Sequence, residues 1–198
     1  MNKLNLFIEN LCGIFSNDKQ IEFEKKKGKI EHPKAKHING ICNSKIKNLP
    51  KNFKGYFIIE ESYYEKKFEH KKNLKIKKDS VKTIEPHLFL FTENEKGKIV
   101  LNSYEIPSDI AKQDFRNDNK HLELDYNELN LSKKFTPIIY NETKDGEFVG
   151  EGESDFAPGV KFILKEKILK DILIVSEILK KDGHIIFGWE DPIIYIKE

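Results

Sequence analysis

The chain has 198 residues, of which 38% are hydrophobic and 34% are charged, and its formal net charge is only +2. This length and hydrophobic content support one domain with a sizeable core and exclude wholesale disorder. The near balance of lysine against aspartate and glutamate excludes the strong positive field that typifies nucleic-acid-binding proteins. We therefore predict a single domain over residues 1–198 that does not bind nucleic acid.

The given residues show no signal-peptide pattern and no apolar run of membrane length, so we expect neither a secretory leader nor a membrane-spanning helix. Cys12 and Cys42 are the only cysteines, and because their spacing matches no disulfide framework we expect reduced thiols. The six histidines show neither an HExxH motif nor paired ligand spacing. These features predict a soluble protein, without membrane insertion or a metal site, in a cytoplasmic or similar compartment.

An amphipathic helix is predicted at the N-terminus, over residues 2–15. Its apolar residues recur with the i, i+3, i+4, i+7 spacing from Leu4 to Leu11, and Gly13 ends the pattern. Two shorter helical segments are predicted later in the chain, at 107–115 and 126–131.

After Pro50 the pattern is that of short strands separated by turns. The predicted strands are 56–64, 87–93, 98–106, 121–126, 136–142, 147–154, 160–165, 172–179 and 185–196. Hairpin turns are predicted at 94–97, 144–146 and 181–183, the last two of which contain an Asp-Gly pair. Such an antiparallel sheet hides its edges most completely by closing, so we predict a mainly β fold, an antiparallel barrel or calyx.

The segment 55–65, GYFIIEESYYE, begins as a buried strand but carries Glu60, Glu61, Tyr63 and Tyr64 in its second half. Side chains alternate between the two faces of a strand, so each face receives one carboxylate and one phenol. A buried carboxylate is costly unless hydrogen-bond donors surround it. The segment therefore indicates an internal polar network, a ligand with donors of its own, or groups that point to solvent at a barrel mouth.

Six motifs in order give the chain a resemblance to a known family. They are GIFSNDKQ at 13–20, HI at 37–38, GYFIIEESYYE at 55–65, LNSYEI at 101–106, EFVGEGES at 147–154 and GWEDPIIYI at 188–196. In this order they resemble the CpcT/CpeT family of phycobiliprotein chromophore lyases, and the CpeT side most. Ser62 stands where that family has alanine, and 135–137 stand where it has a Gly-Cys pair.

The resemblance implies a lipocalin-like calyx that binds a phycobilin, phycoerythrobilin above all. It implies a lyase that promotes thioether attachment of the bilin to a cysteine of a phycobiliprotein (phycoerythrin) β subunit. It also implies a homodimer, no permanently bound cofactor and a photosynthetic cell, with the plastid stroma as an alternative location. The acceptor is expected to dock near the calyx mouth, against the loops at 66–82 and 141–146.

A bilin presents pyrrole N–H donors, propionates and an ethylidene group, so a site needs a carboxylate, aromatic faces and cations or hydroxyls. Glu60 or Glu61 is the candidate catalytic acid, with Tyr63 or Tyr64 as ligand-binding phenols. The further ligand-binding candidates are Asn102, Tyr104, Phe148, Gly150, Ser176, Glu177 and Trp189. The reacting thiol belongs to the acceptor, and this chain contributes proximity.

Several alternatives stay open at this point. The glycines at 150 and 152 can make space for a flat ligand or mark a bulge. Trp189 can be a core residue instead of a ligand contact, and His37 a structural hydrogen-bonding residue. At the level of function, the alternatives to a lyase are a non-catalytic calyx that carries a bilin or another apolar ligand, and an assembly protein whose barrel is filled by side chains.

Overall fold

The computed structural model describes residues 2–72, 75–143 and 146–198, with backbone alone at 66–72 and 75–82. Two α-helices are present in this part of the chain, α1 (Lys3–Leu11) and α2 (Asp18–Lys26), with short 3-10 helices at Asn43–Lys45 and Tyr126–Glu128, the latter within the helical segment predicted at 126–131. The strands are β1 (Gly13–Ser16), β2 (Lys34–Ile41), β3 (Ile46–Lys47), β4 (Gly55–Lys72), β5 (Lys75–Glu93), β6 (Ile99–Tyr104), β7 (Leu124–Asp125), β8 (Ile138–Glu142), β9 (Phe148–Ala157), β10 (Val160–Leu169), β11 (Ile172–Lys181), β12 (His184–Gly188) and β13 (Ile193–Lys197). Neither helix has the length and apolar character needed to cross a membrane.

Ten strands of the described chain close into an antiparallel barrel, in the order β1, β2, β4, β5, β6, β8, β9, β10, β11, β13. Pairing of β13 with β1 makes the ring continuous. β12 lies outside the ring and pairs with β11 beyond the point where the pairing of β11 with β13 ends. The predicted mainly β antiparallel barrel is therefore confirmed, while its lipocalin-like character stays a prediction.

The predicted strands differ from the observed ones mainly at their ends. The strand predicted at 185–196 is two strands, β12 and β13, and the one at 121–126 is reduced to the two-residue β7. The helix predicted at 107–115 is wrong, because isolated turns such as Ile110 N–H to Pro107 O replace it. The sequence patterns did not predict α2, β1 or β2.

Two of the predicted hairpin turns are present. Asp182 and Gly183 both adopt positive φ, 49° and 83°, as the Asp-Gly turn requires. The turn at 94–97 joins β5 to β6. In the turn at 144–146, residues 144 and 145 lie outside the described residues, as do the side chains of the proposed docking loop at 66–82, whose backbone is mostly strand.

Helix α1 closes one end of the barrel. Asn2 caps it by accepting a backbone N–H of the first turn at 2.9 Å. Phe7 on its apolar face is fully buried and packs against Phe91, Tyr140 and Phe148, with ring centroids 4.9–5.1 Å apart. This end of the lumen is thus filled by an aromatic core, and any internal space must lie towards the other end.

A second apolar cluster lies on the outer face of β4 and β5. Phe57, Ile59 and Leu88 point away from the lumen and are nevertheless fully buried. The chain between β6 and β8 covers them, with Phe115 as its fully buried anchor. β4 is therefore buried on both faces over 57–62, which explains why residues 57–59 are apolar without alternation.

Glycine residues in β9 allow side chains of the neighbouring strand β8 to pack across it. Tyr140, Gly150 and Glu166 lie side by side on β8, β9 and β10. A Cβ at Gly150 would meet the Tyr140 ring at 2.6 Å, so glycine is what allows the ring to cross β9 and donate its hydroxyl hydrogen bond to Glu166. Gly152 makes room for Ile138 in the same way. These glycines provide space, with no register shift beside them, and the protein's own side chains fill it.

The change Gly150→Ala is expected to lower the free energy of unfolding by about 1–3 kcal/mol, because the added methyl overlaps a fully buried ring. Urea unfolding measures this. Gly152→Ala is the matched control, since its methyl meets only the terminal carbon of Ile138, which can rotate away. Equal losses in the two variants would contradict the special role of Gly150.

Candidate ligand-binding site in the barrel

The end of the barrel opposite α1 holds an open cavity of about 540 Å³. Its floor is polar and consists of Ser62, Tyr64, His87 and Glu177. Its walls are apolar and include Phe89, Leu101, Ile138, Leu164 and Leu179, and four aromatic rings stand at the mouth, those of Phe135, Phe156, Phe162 and Phe187. This size, with an apolar wall and a few convergent polar groups, is typical of small-molecule sites.

A layer of polar side chains separates the cavity from the aromatic core under α1. At its centre, Nδ1 of His37 lies 3.7 Å from Oε2 of Glu60, and the Ser62 hydroxyl donates to Oε1 of Glu60 at 3.2 Å. At the cavity floor, the Tyr64 hydroxyl donates to Oε2 of Glu177 at 3.2 Å. Glu177 therefore faces the cavity, whereas Glu60 lies one layer deeper.

Burial and charge together shift the pKa values in this layer. Burial alone would raise the pKa of Glu60, but the charge and hydrogen bond of His37 outweigh it, and the pKa is lowered. Burial would likewise lower the pKa of His37, but the charge and hydrogen bond of Glu60 together with the charges of Glu177 and Glu166 outweigh it, so that the pKa is raised. Burial and the Glu60 charge raise the pKa of Glu177, and that of Glu166 to about 7. The layer thus combines the contact of His37 with Glu60 and two carboxyl groups whose pKa values are raised.

The alternation along β4 separates its two carboxylates. Glu60 faces the lumen. Glu61 and Tyr63 lie on the outer face of β4, so the prediction of Glu61 as a catalytic acid and Tyr63 as a ligand-binding phenol in the lumen is wrong. Glu61 accepts hydrogen bonds from the backbone N–H and the side-chain amide of Asn117, both at 2.8 Å, and from the Tyr63 hydroxyl. Nε of Arg116 lies 3.8 Å from it. Glu61 therefore anchors the covering loop to the outer wall.

Other predicted site residues also lie outside the lumen. Asn102 and Tyr104 share the outer face of β6, where the Tyr104 ring packs 5.3 Å from that of Phe57, although Tyr104 reaches the cavity rim. Ser176 alternates with Glu177 on β11 and faces outward. Only Glu177 of this pair contributes to the cavity.

Three more predicted residues lie at the edges of the site. Phe148 and Gly150 belong to the layers beneath the cavity, against α1 and Tyr140. Trp189 is partly buried and lines a groove beside the barrel, with its ring 5.9 Å from that of Phe187. The structure therefore brings Glu60, Tyr64 and Glu177 together and leaves the other candidates around them.

Sequence reasoning missed several residues of the polar layer and the cavity. Glu177 was predicted because it is a carboxylate among apolar residues of a strand. Glu166 carries the same signal, since Leu164 and Ile168 share its face of β10. Tyr195 packs its ring 4.4 Å from that of His37. His87 had no such signal, since only the pairing of β5 with β4 places it opposite Glu60.

The thiols of this chain are unsuited to nucleophilic chemistry. Burial raises the pKa of Cys12 to about 11 and that of Cys42 to about 12, so both stay protonated near neutral pH. Neither residue lines the cavity. Within the described ranges, no group of three or more His, Cys, Asp or Glu side chains is placed to hold a metal ion.

Comparison with known proteins adds no relative. No family model, no curated protein and no solved structure matches the chain.

The raised pKa of Glu166 predicts a pH-dependent stability. Its folded-state pKa of about 7 exceeds the ordinary value of 4.5, so its contribution to stability is present at low pH and is lost as the pH rises through 7. Glu166→Gln should remove this loss, because glutamine does not titrate. Between pH 4.5 and 8 the wild type should therefore lose roughly 1–3 kcal/mol more unfolding free energy than the variant loses. Urea unfolding across that range measures it, with Glu151→Gln on the exposed face of β9 as control. A difference that does not change with pH would contradict the assignment.

The loop anchor predicts a large cost for Glu61→Ala. The substitution leaves two donors of Asn117 and the Tyr63 hydroxyl without their acceptor, which should lower the unfolding free energy by roughly 2–4 kcal/mol. Glu85→Ala, which removes an exposed partner of Lys112, should cost less than about 1 kcal/mol. Chemical denaturation of both variants tests this, and a Glu61→Ala protein as stable as the wild type would refute the anchor.

Proposed function

We propose that this barrel binds a phycobilin in the cavity and promotes its thioether attachment to a cysteine of a phycobiliprotein β subunit, with phycoerythrobilin and phycoerythrin as the preferred pair. The observation that carries the proposal is the one-ended cavity, with aromatic walls over a floor formed by a carboxyl and a phenol. The order of the sequence motifs supports the same assignment. A homodimer and a photosynthetic cell belong to this proposal.

The cavity offers each group that a bilin needs. Phe89 and the aromatic rings of the mouth can pack on the conjugated plane. Glu177 can meet the pyrrole nitrogens at the floor. Lys134 at the rim supplies a cation for a propionate.

Glu177 takes the general-acid role in this proposal, in place of Glu60 or Glu61. The acceptor thiolate adds to the ethylidene carbon and forms the C–S bond, while the carboxyl proton of Glu177 moves to the adjacent ring carbon. The proton of the acceptor thiol is released to water and restores the carboxyl group. Burial raises the pKa of Glu177, which is the direction that a general acid needs, and the Tyr64 hydroxyl donates to the group and holds it in position.

The reacting thiol comes from the acceptor, because Cys42 is buried, Cys12 is partly buried and neither lines the cavity. The barrel contributes a fixed bilin conformation with one accessible face, which is a proximity effect. A non-catalytic bilin carrier is the second candidate function. It is favoured by the packing of rings at the mouth, where the Phe135 centroid lies 5.7 Å from that of Phe156 and 5.4 Å from that of Phe162. Rings that narrow the mouth would help to retain a ligand.

Co-expression with a bilin-producing pathway and a phycoerythrin β subunit tests the proposal. We expect bilin fluorescence on the denatured acceptor that depends on this protein. Glu177→Gln should reduce it by about 100-fold, the usual effect of losing a general acid. Glu153→Gln, on the exposed face of β9 and paired with Lys161, is the matched control and should have no effect.

The outcomes separate the candidates. A bilin absorbance change on this protein without a covalent product on the acceptor would favour the carrier. Absence of both signals would refute bilin binding and leave a barrel that serves assembly alone.

A further inference from the structure

A second concave site, the lateral groove, lies beside the barrel and has a volume of about 690 Å³. It runs between α2, the segment before β2, and the start of the β12–β13 connection, with Ile21, Ile30, His32, Phe187 and Trp189 among its lining residues. Its rim carries both signs of charge, Lys25 and Glu31 among them. The groove therefore has no single sign of charge, and apolar and aromatic side chains form much of its lining.

The groove exists because the strand ladder is interrupted at this level of the barrel. The pairing of β2 with β4 ends at Lys34 and Glu65, while β4 continues to Lys72. On the other side of the groove, β11 pairs with β13 as far as Val175 and with β12 beyond it. Side chains and α2, in place of hydrogen-bonded backbone, form the wall between β4 and β12.

That wall is one side chain thick. Tyr64 and Phe187 line both the cavity and the lateral groove. A small void between the two sites is lined by Tyr64, Glu177 and Tyr195 from the lumen and by Trp189 from the groove. Tyr64 and Phe187 are therefore the side chains that stand between the two spaces.

We propose that the lateral groove is the second half of the ligand site, so that an elongated tetrapyrrole lies with one half in the cavity and the other half past Tyr64 and Phe187 against Trp189. This inference rests on the proposed function. Four rings in a row form a long object, and two aromatic-lined spaces joined end to end fit such a shape better than either space alone. Trp189 then serves as a stacking surface for the distal rings.

Direct binding of two probes tests the division of the site. Biliverdin is a complete linear tetrapyrrole, and a synthetic dipyrrole half-molecule is short enough for the cavity alone. Ile30→Glu places a charge in the groove and nowhere in the cavity. Ile41→Glu is the matched control, because both isoleucines are 48% exposed and Ile41 lies outside the groove.

Absorbance titration should show biliverdin binding about tenfold more weakly to Ile30→Glu than to the wild type, because a charge is buried against the distal rings. The dipyrrole should bind both proteins equally, and Ile41→Glu should match the wild type with both probes. Equal urea unfolding of the two variants confirms that each is folded.

Other outcomes overturn the inference in distinguishable ways. Unchanged biliverdin affinity in Ile30→Glu would refute the groove as a half-site and leave the proposed function standing. An equal loss for both probes would refute the division between cavity and groove. If neither probe binds the wild type, the proposed function itself fails.

Discussion

The buried contact between Glu60 and His37 governs the electrostatics of the polar layer in the lumen. A carboxylate in this position is stable only because a histidine lies 3.7 Å away and the Ser62 hydroxyl donates to it. Burial raises the pKa values of Glu166 and Glu177, and the charge of Glu60 raises them further. One buried carboxylate thus acts on both neighbouring carboxyl groups, an influence that a uniformly apolar interior would not provide.

The arrangement of layers explains why the barrel has a cavity at one end only. Phe7 of α1 enters the lumen and fills the first layer with aromatic contacts, and Tyr140 extends this packing across Gly150 to the polar layer. Beyond that layer the strands continue, and no helix of the described residues lines the space between them. The cavity is consequently a property of chain topology, and the polar layer is its floor.

The sequence predicts much of this fold but only part of the site. The spacing from Leu4 to Leu11 identified α1, and the Asp-Gly pair at 182–183 identified a hairpin, because both signals are local. β1 and β2 are short or polar and have no clear period, so only their pairing in the ring defines them. Alternation showed that Glu60 and Glu61 lie on opposite faces, yet it could not say which face is lumenal. That depends on α1 covering one side and the loop around Phe115 covering the other.

The outer wall also shapes the site, although it does not touch the cavity. The loop that Glu61 holds through Asn117 begins with residues 105–110, and several of these form the rim of the mouth. Gly40 permits this attachment, since a Cβ there would overlap the Asn117 side chain. Two carboxylates adjacent in sequence therefore act on one cavity from opposite sides of the same strand. Glu60 sets the charge beneath the floor, and Glu61 fixes the position of the rim.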